Sequence, residues 1–224
     1  MTIDEVIRRI GEVGIIPVVR AANVDQARRA VEAICEGGIP ILEITMTVPN
    51  APEVIRQVVQ EYGDRVLTGA GTVLRAADAK RCLDAGAEFL VSPGLTISVM
   101  TTAAATGKLA IPGVMTPTEL MVAFENEAKL VKVFPCGNLG GPKYLKSLKA
   151  PFPDAALIPT GGVNASNAAD YFKAGAFALG IGADLVDAAA LREGNSAKIS
   201  KTARELVEAV KMARQGGASE PATA

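Results

Sequence analysis

The chain has 224 residues, 49% apolar and 21% charged, with 22 glycines and a net charge near −1, which suits one globular domain whose core needs no disulfides. Lysine and arginine total 23 against 24 acids, and aromatic residues make up 4%, so neither charge nor stacking surface points to a nucleic-acid partner. There is no histidine, which excludes Ser-His-Asp and Cys-His nucleophile systems and histidine-ligated metals.

An amphipathic run at 2–13 opens the chain as a helix. Eight β-rich runs follow, at 15–20, 41–46, 66–72, 89–93, 109–114, 130–135, 156–160 and 177–181. Their starts lie 20 to 26 residues apart, room for one helix and two loops. Helical periodicity fills the intervals at 24–36, 51–62, 75–85, 97–106, 118–125, 142–148 and 167–174, and a long helix at 196–215 ends the series. In 24–36, Val24, Ala27, Val31 and Ile34 share one face; Val54, Ile55, Val58 and Val59 do so in 51–62. Gly37-Gly38, Gly86, Gly107 and Gly175 supply the turns that stop four of these helices.

Strict strand–helix alternation makes a parallel sheet. Eight units in about 200 residues predict a single-domain (β/α)8 TIM barrel over 1–215, with an extra N-terminal helix. An open doubly wound sheet would offer a glycine-rich turn after its first strand. Here that strand ends Val19-Arg20-Ala21-Ala22. Residues 216–224 are small and polar and read as a disordered tail.

The longest charge-free stretch, 89–107, contains Pro93, Gly94 and several threonines, so no membrane span is expected. The opening MTIDEVIRRI has early acids and no apolar signal core, and three cysteines lack metal spacing. A cytoplasmic protein with reduced thiols, no metal and no cofactor is the expectation.

Barrel enzymes carry their chemistry at the C-terminal ends of strands, where side chains alternate inward and outward. In 41–45, Glu43 and Thr45 share the phase of Ile41; in 130–134, Lys132 shares that of Leu130 and Phe134. Arg20 follows Ile16 and Val18 in phase, and Thr72 and Thr160 end their strands. A lysine inside an apolar strand is costly to bury charged. It can snorkel to a rim or pair with Glu43. It can also be held as a neutral amine that attacks a ketone to form an imine. Glu43 then reads as a proton shuttle or as a neutralising partner. Arg20 reads as a rim salt bridge or as a bidentate clamp on a substrate carboxylate. The glycines of Thr160-Gly161-Gly162 and Gly180-Ile181-Gly182-Ala183 serve tight turns, or a cradle of backbone N–H groups for a phosphate. Cys136 has no base beside it in sequence and reads as a passive loop residue; Cys35 and Cys82 read as helix packing residues.

Taken in order, Glu-Ile-Thr (43–45), Gly-Ala-Gly-Thr-Val (69–73), Val-Ser-Pro-Gly (91–94), Ile-Pro-Gly-Val (111–114), Lys-Val-Phe-Pro (132–135) and Pro-Thr-Gly-Gly-Val (159–163) resemble the 2-keto-3-deoxy-6-phosphogluconate (KDPG) aldolases, a family that includes 4-hydroxy-2-oxoglutarate (KHG) aldolases. The resemblance spans about residues 5–212. It implies a metal-free class I aldolase acting on a small 2-keto acid, and a homotrimer. It places the imine lysine on Lys132, the acid–base glutamate on Glu43 and a pyruvyl-binding threonine on Thr72, with Thr45, Pro93, Thr160, Gly161, Gly162, Gly182 and Ala183 lining the substrate site. Some members carry the carboxylate-binding arginine where this chain has Thr47; others have it at the end of the first strand, here Arg20. Several have serine where this chain has Ala183. Two other readings stay open: a phosphosugar isomerase or synthase barrel sharing the glycine loops, and a non-catalytic trimeric scaffold.

Overall fold

The computed structural model of the protein describes residues 1–216. Helix α1 (Ile3–Val13) starts on a capping box in which Thr2 and Glu5 satisfy each other's backbone N–H groups, and stops at left-handed Gly14. Nine parallel strands and nine further helices follow: β1 (Ile15–Val19), α2 (Val24–Glu36), β2 (Ile41–Thr45), α3 (Ala51–Tyr62), β3 (Leu67–Gly71), α4 (Ala76–Asp84), β4 (Phe89–Val91), α5 (Ile97–Ala105), β5 (Leu109–Ile111), β6 (Gly113–Val114), α6 (Pro117–Glu125), β7 (Val131–Val133), α7 (Pro142–Lys149), β8 (Leu157–Pro159), α8 (Ala168–Lys173), β9 (Leu179–Ile181), α9 (Ala188–Glu193) and α10 (Ser196–Gly216). The last helix takes in Gly216, first residue of the predicted tail; 217–224 lie outside the described residues.

The strands pair in parallel as a six-stranded sheet, β5-β4-β3-β2-β1-β9, and a three-stranded sheet, β6-β7-β8. The predicted strand 109–114 is divided at Pro112, which has no N–H to give a ladder. Upstream of it β5 pairs with β4; downstream β6 pairs with β7. The Pro112 carbonyl accepts from Lys132 N at 2.9 Å, so the chain changes partner without a gap. At the other junction, parallel bridges join Leu157 to Ala176 and Thr160 to Gly180.

Two apolar clusters lie on opposite faces of the strands. Leu42, Ile44, Ala70, Leu90, Val131 and Val133 pack outward against the helices. Ile16, Ile41, Leu67, Phe89, Leu109, Leu130, Ile158 and Ala178 pack inward against one another. Val6 and Ile10 of α1 join this inner cluster and close one end of it. Gly69 makes room there, because a Cβ would overlap the Phe89 ring. The alternation fixes the inward phase. Glu43 follows Ile41 by two residues and Lys132 follows Leu130 by two, so both stand one layer above the inner core. Helix α9 was not expected from sequence. Its signal is Asp187, whose carboxylate caps the N–H groups of Ala189 and Ala190 ahead of an alanine run.

Candidate active site

Glu43 is 2% exposed and Lys132 5%. In register Glu43 lies between Val18 of β1 and Gly69 of β3, while Lys132 lies between Gly113 of β6 and Ile158 of β8. The two residues therefore approach from different sheets across the interior. Burial raises the Glu43 carboxyl above the ordinary carboxylate range, and the charges of Lys132 and then Arg20 oppose the rise. Glu43, Lys132 and Arg20 thus share one field. Glu43 Oε1 is buried without a hydrogen-bond partner. An orphaned buried acceptor is costly unless something else comes to meet it. Lys132 Nζ lies 5.1 Å from the centre of the Phe134 ring, two residues on along the same face.

The remaining predicted residues fall around this pair. Thr45 is fully buried, and its hydroxyl donates to Val19 O at 2.9 Å, joining the ends of β2 and β1. Arg20 follows Val19 and is exposed at the rim. Thr72 has φ +55°, a left-handed conformation that β-branched residues avoid. Ser92 donates to Val73 O at 2.8 Å and ties the loop after Thr72 to the end of β4. Pro93 packs its carbonyl against Gly113, where a Cβ would overlap it. Gly113 is in turn the register partner of Lys132. Gly180 leaves space for the Thr160 side chain, and Thr160 bridges to Gly180.

Past Thr160, Gly161 and Gly162 have φ +89° and +75°, which only glycine adopts freely. Asn167 donates to Gly162 O at 2.8 Å and holds the turn. Gly182 and Ala183 begin the turn after β9. The N–H groups of Gly162 and Ala183 donate to no acceptor among the described residues. Two adjacent strand ends therefore offer free backbone donors, the chemistry an anion requires.

Sequence reasoning missed Gly71, Thr47, Phe134 and Ser92. Gly71 matters for what it lacks: a Cβ would overlap the Glu43 carboxyl group. Its place opposite Thr45 in the ladder is a three-dimensional fact with no local sequence signal. The cysteines stand apart from this chemistry. Cys136 is buried, burial pushes its thiol up to about 11, and its sulfur lies 3.8 Å from Gly141 O. Among the described residues no group of three or more His, Cys, Asp or Glu is placed to hold a metal, and no helix is long and apolar enough to cross a membrane. A cavity of about 340 Å³ lined by Arg28, Arg29 and Tyr62 lies outside the strands and contains none of the site residues.

Residues 3–202 match the family model of KDPG and KHG aldolases. The KHG/KDPG aldolase of Escherichia coli (strain K12) is 34% identical over 198 residues, covering 88% of this chain and 92% of that protein. A KDPG aldolase from Legionella pneumophila, solved with pyruvate captured at low pH as a covalent carbinolamine, superimposes with a TM-score of 0.81 at 28% identity, covering 89% of this chain and 97% of the other. A cube-shaped protein cage designed by fusing symmetric oligomeric domains superimposes with a TM-score of 0.84 at 30% identity, covering 92% of this chain and 75% of the other.

Proposed function

Since the chain belongs to the KDPG and KHG aldolase family, we propose that it cleaves its substrate through an imine on Lys132, with Glu43 carrying the protons. The enzyme is a carbon–carbon lyase that splits KDPG into pyruvate and glyceraldehyde 3-phosphate. The observation that carries the mechanism is the pair itself: a buried lysine and a buried glutamate with one unpartnered oxygen, in one field inside the strands.

The Lys132 amine attacks the C2 carbonyl carbon, and loss of water gives a protonated imine. That imine is an electron sink. Glu43 takes the proton of the C4 hydroxyl, directly or through a water, as the C3–C4 bond breaks. The bonding pair moves into the imine and leaves an enamine, and the aldehyde departs. Glu43 returns its proton to C3. Water adds to the new imine, and pyruvate leaves as the Lys132 amine is restored. Each covalent step is easier than the direct cleavage it replaces. A buried carboxyl with a raised pKa suits a group that must both take and return a proton near neutral pH.

Arg20 clamps the substrate carboxylate, and Thr45, Thr72 and Pro93 shape the pyruvyl end. Thr160, Gly161, Gly162, Gly182 and Ala183 cradle the phosphate. With 4-hydroxy-2-oxoglutarate the same steps release glyoxylate; the name of the E. coli relative favours this second substrate. The two sheets act as one closed (β/α)8 barrel, supported by the continuity through Pro112 and the bridges between 157–160 and 176–180. The working unit is a homotrimer; the likeness to a cage assembled from symmetric oligomeric domains supports a symmetric assembly. Three free cysteines fit a reducing cytoplasm.

The test is incubation with pyruvate and borohydride followed by intact mass and peptide mapping. One reduced pyruvyl adduct on Lys132, lost in Lys132→Met, is expected. An adduct on Lys129, Lys143 or Lys146, or none, would overturn the mechanism.

A further inference from the structure

Three hydroxyl and carbonyl oxygens at the junction of β1 and β2 form a chain whose direction can be worked out. Thr45 Oγ1 lies 2.9 Å from Val19 O and 2.6 Å from Thr47 Oγ1. A threonine hydroxyl has one proton to give and two lone pairs to receive with, whereas a backbone carbonyl only accepts. If Thr45 gave its proton to Thr47, its oxygen would face Val19 O with no hydrogen between them, and two lone pairs would repel at 2.9 Å. Thr45 therefore donates to Val19 O, and Thr47 donates to Thr45. Thr45 is fully buried, so no water can take over either role.

The proton of Thr47 is thus spent inward. Thr47 is exposed, and its oxygen has only lone pairs left to offer a further partner. Such a hydroxyl is a poor partner for a carboxylate and a good one for a guanidinium, which has N–H donors and no acceptor. The residue after Val19 is Arg20, whose charge reaches Glu43. Thr45 grips the carbonyl that precedes Arg20 and at the same time orients the hydroxyl on the neighbouring strand end.

We propose that Thr47 is a positioning residue for the aldol cleavage: its hydroxyl, polarised by Thr45, accepts a hydrogen bond from the Arg20 guanidinium and holds that side chain over the site when the substrate carboxylate arrives. The inference rests on the reading of Arg20 as the carboxylate clamp. Arg20 is long, exposed and at a strand end, so an acceptor at its side lowers the ordering cost of each productive encounter. Thr47 acts through Arg20 and touches no reacting atom. Its loss should therefore raise KM and spare kcat.

The experiment is a double-mutant cycle on Arg20→Ala and Thr47→Val, with Thr47→Ser as the conservative control. The readouts are KM and kcat for KDPG cleavage, and the pyruvate concentration that gives half-maximal borohydride trapping. Thr47→Val should raise KM and the trapping midpoint roughly ten-fold, the loss of one charge-assisted hydrogen bond, with kcat nearly unchanged. Thr47→Ser should restore both values. In the Arg20→Ala background Thr47→Val should add nothing. An equal loss in both backgrounds means that Thr47 meets the substrate directly, which overturns the proposal and leaves the clamp standing. If Arg20→Ala leaves KM and trapping unchanged, the clamp reading fails and the proposal falls with it. A fall in kcat with KM unchanged also refutes it.

Discussion

The carboxyl group of Glu43 fills the space in front of Gly71, where any Cβ would overlap it. Gly71 lies at the end of β3, opposite Thr45 in the ladder, so the position of the acid depends on the absence of a side chain one strand away. Gly71→Ala should push Glu43 off its rotamer and cost on the order of 1–3 kcal/mol of stability, as overpacking does. In a Glu43→Ala background the same substitution should cost far less. Denaturant unfolding of the four proteins measures the coupling. Additive losses would mean that the two residues do not share this space.

Glu43→Gln keeps the shape and removes the carboxyl group that the proposed mechanism uses to carry protons. Turnover should fall about 10²- to 10⁴-fold, with a smaller change in the pyruvate trapping midpoint. Stability should move the other way, and only at higher pH. The folded carboxyl titrates above its ordinary value of 4.5 because it is buried, so its neutral form is the better tolerated one. Wild-type stability is fully present below the unfolded pKa and declines as pH rises through the raised folded value. The melting temperature of Glu43→Gln should match wild type below about pH 4.5 and exceed it above. A gap that is constant with pH would show that Glu43 titrates alike in both states.

Thr72 holds a left-handed φ of +55° at the end of β3, a conformation that costs roughly 1–3 kcal/mol for a β-branched residue. Its hydrogen-bonded neighbours sustain it, among them Val73 N, which donates to Val91 O at 3.1 Å. Thr72→Asn places a residue tolerant of this φ at the same point. The variant should melt no lower than wild type while KM for KDPG rises, since the hydroxyl proposed to meet the pyruvyl group is gone. A variant that is destabilised with unchanged KM would make Thr72 a structural residue.

The strand–helix alternation was legible because each segment declares its own period, and the inward phase followed from alternation alone. Ile41 and Leu130 do pack inside, which carries Glu43 and Lys132 inward with them. The division at Pro112 has a local signal in the proline itself: a residue without an N–H cannot continue a ladder. Helix α9 reads Ala-Ala-Ala-Leu-Arg-Glu, with one large apolar side chain, so no apolar face declares a period there. Gly71 and Thr47 were hidden for a different reason. The first is defined by the atoms that fill its missing side chain, the second by a proton whose direction depends on Val19, 28 positions earlier. Contacts between strands decide both, and no window along the chain contains them.

Gly161 and Gly162 follow β8, and Gly182 and Ala183 follow β9, with Thr160 bridged to Gly180 between them. Small residues let backbone approach an anion closely, and free N–H groups give it donors. Ala183 has no hydroxyl to add to them, and the exposed Asp184 beside it carries a charge of the same sign as phosphate. A hydrogen bond to a charged group contributes roughly 1.5–3 kcal/mol, so one hydroxyl is worth about ten-fold or more in binding unless water replaces it. Ala183→Ser should therefore lower KM for KDPG by about ten-fold and leave cleavage of 4-hydroxy-2-oxoglutarate almost unchanged, because that substrate carries no phosphate. Steady-state kinetics on both substrates measure the margin. An equal shift for the two would place position 183 away from the phosphate and remove the cradle from the ends of β8 and β9.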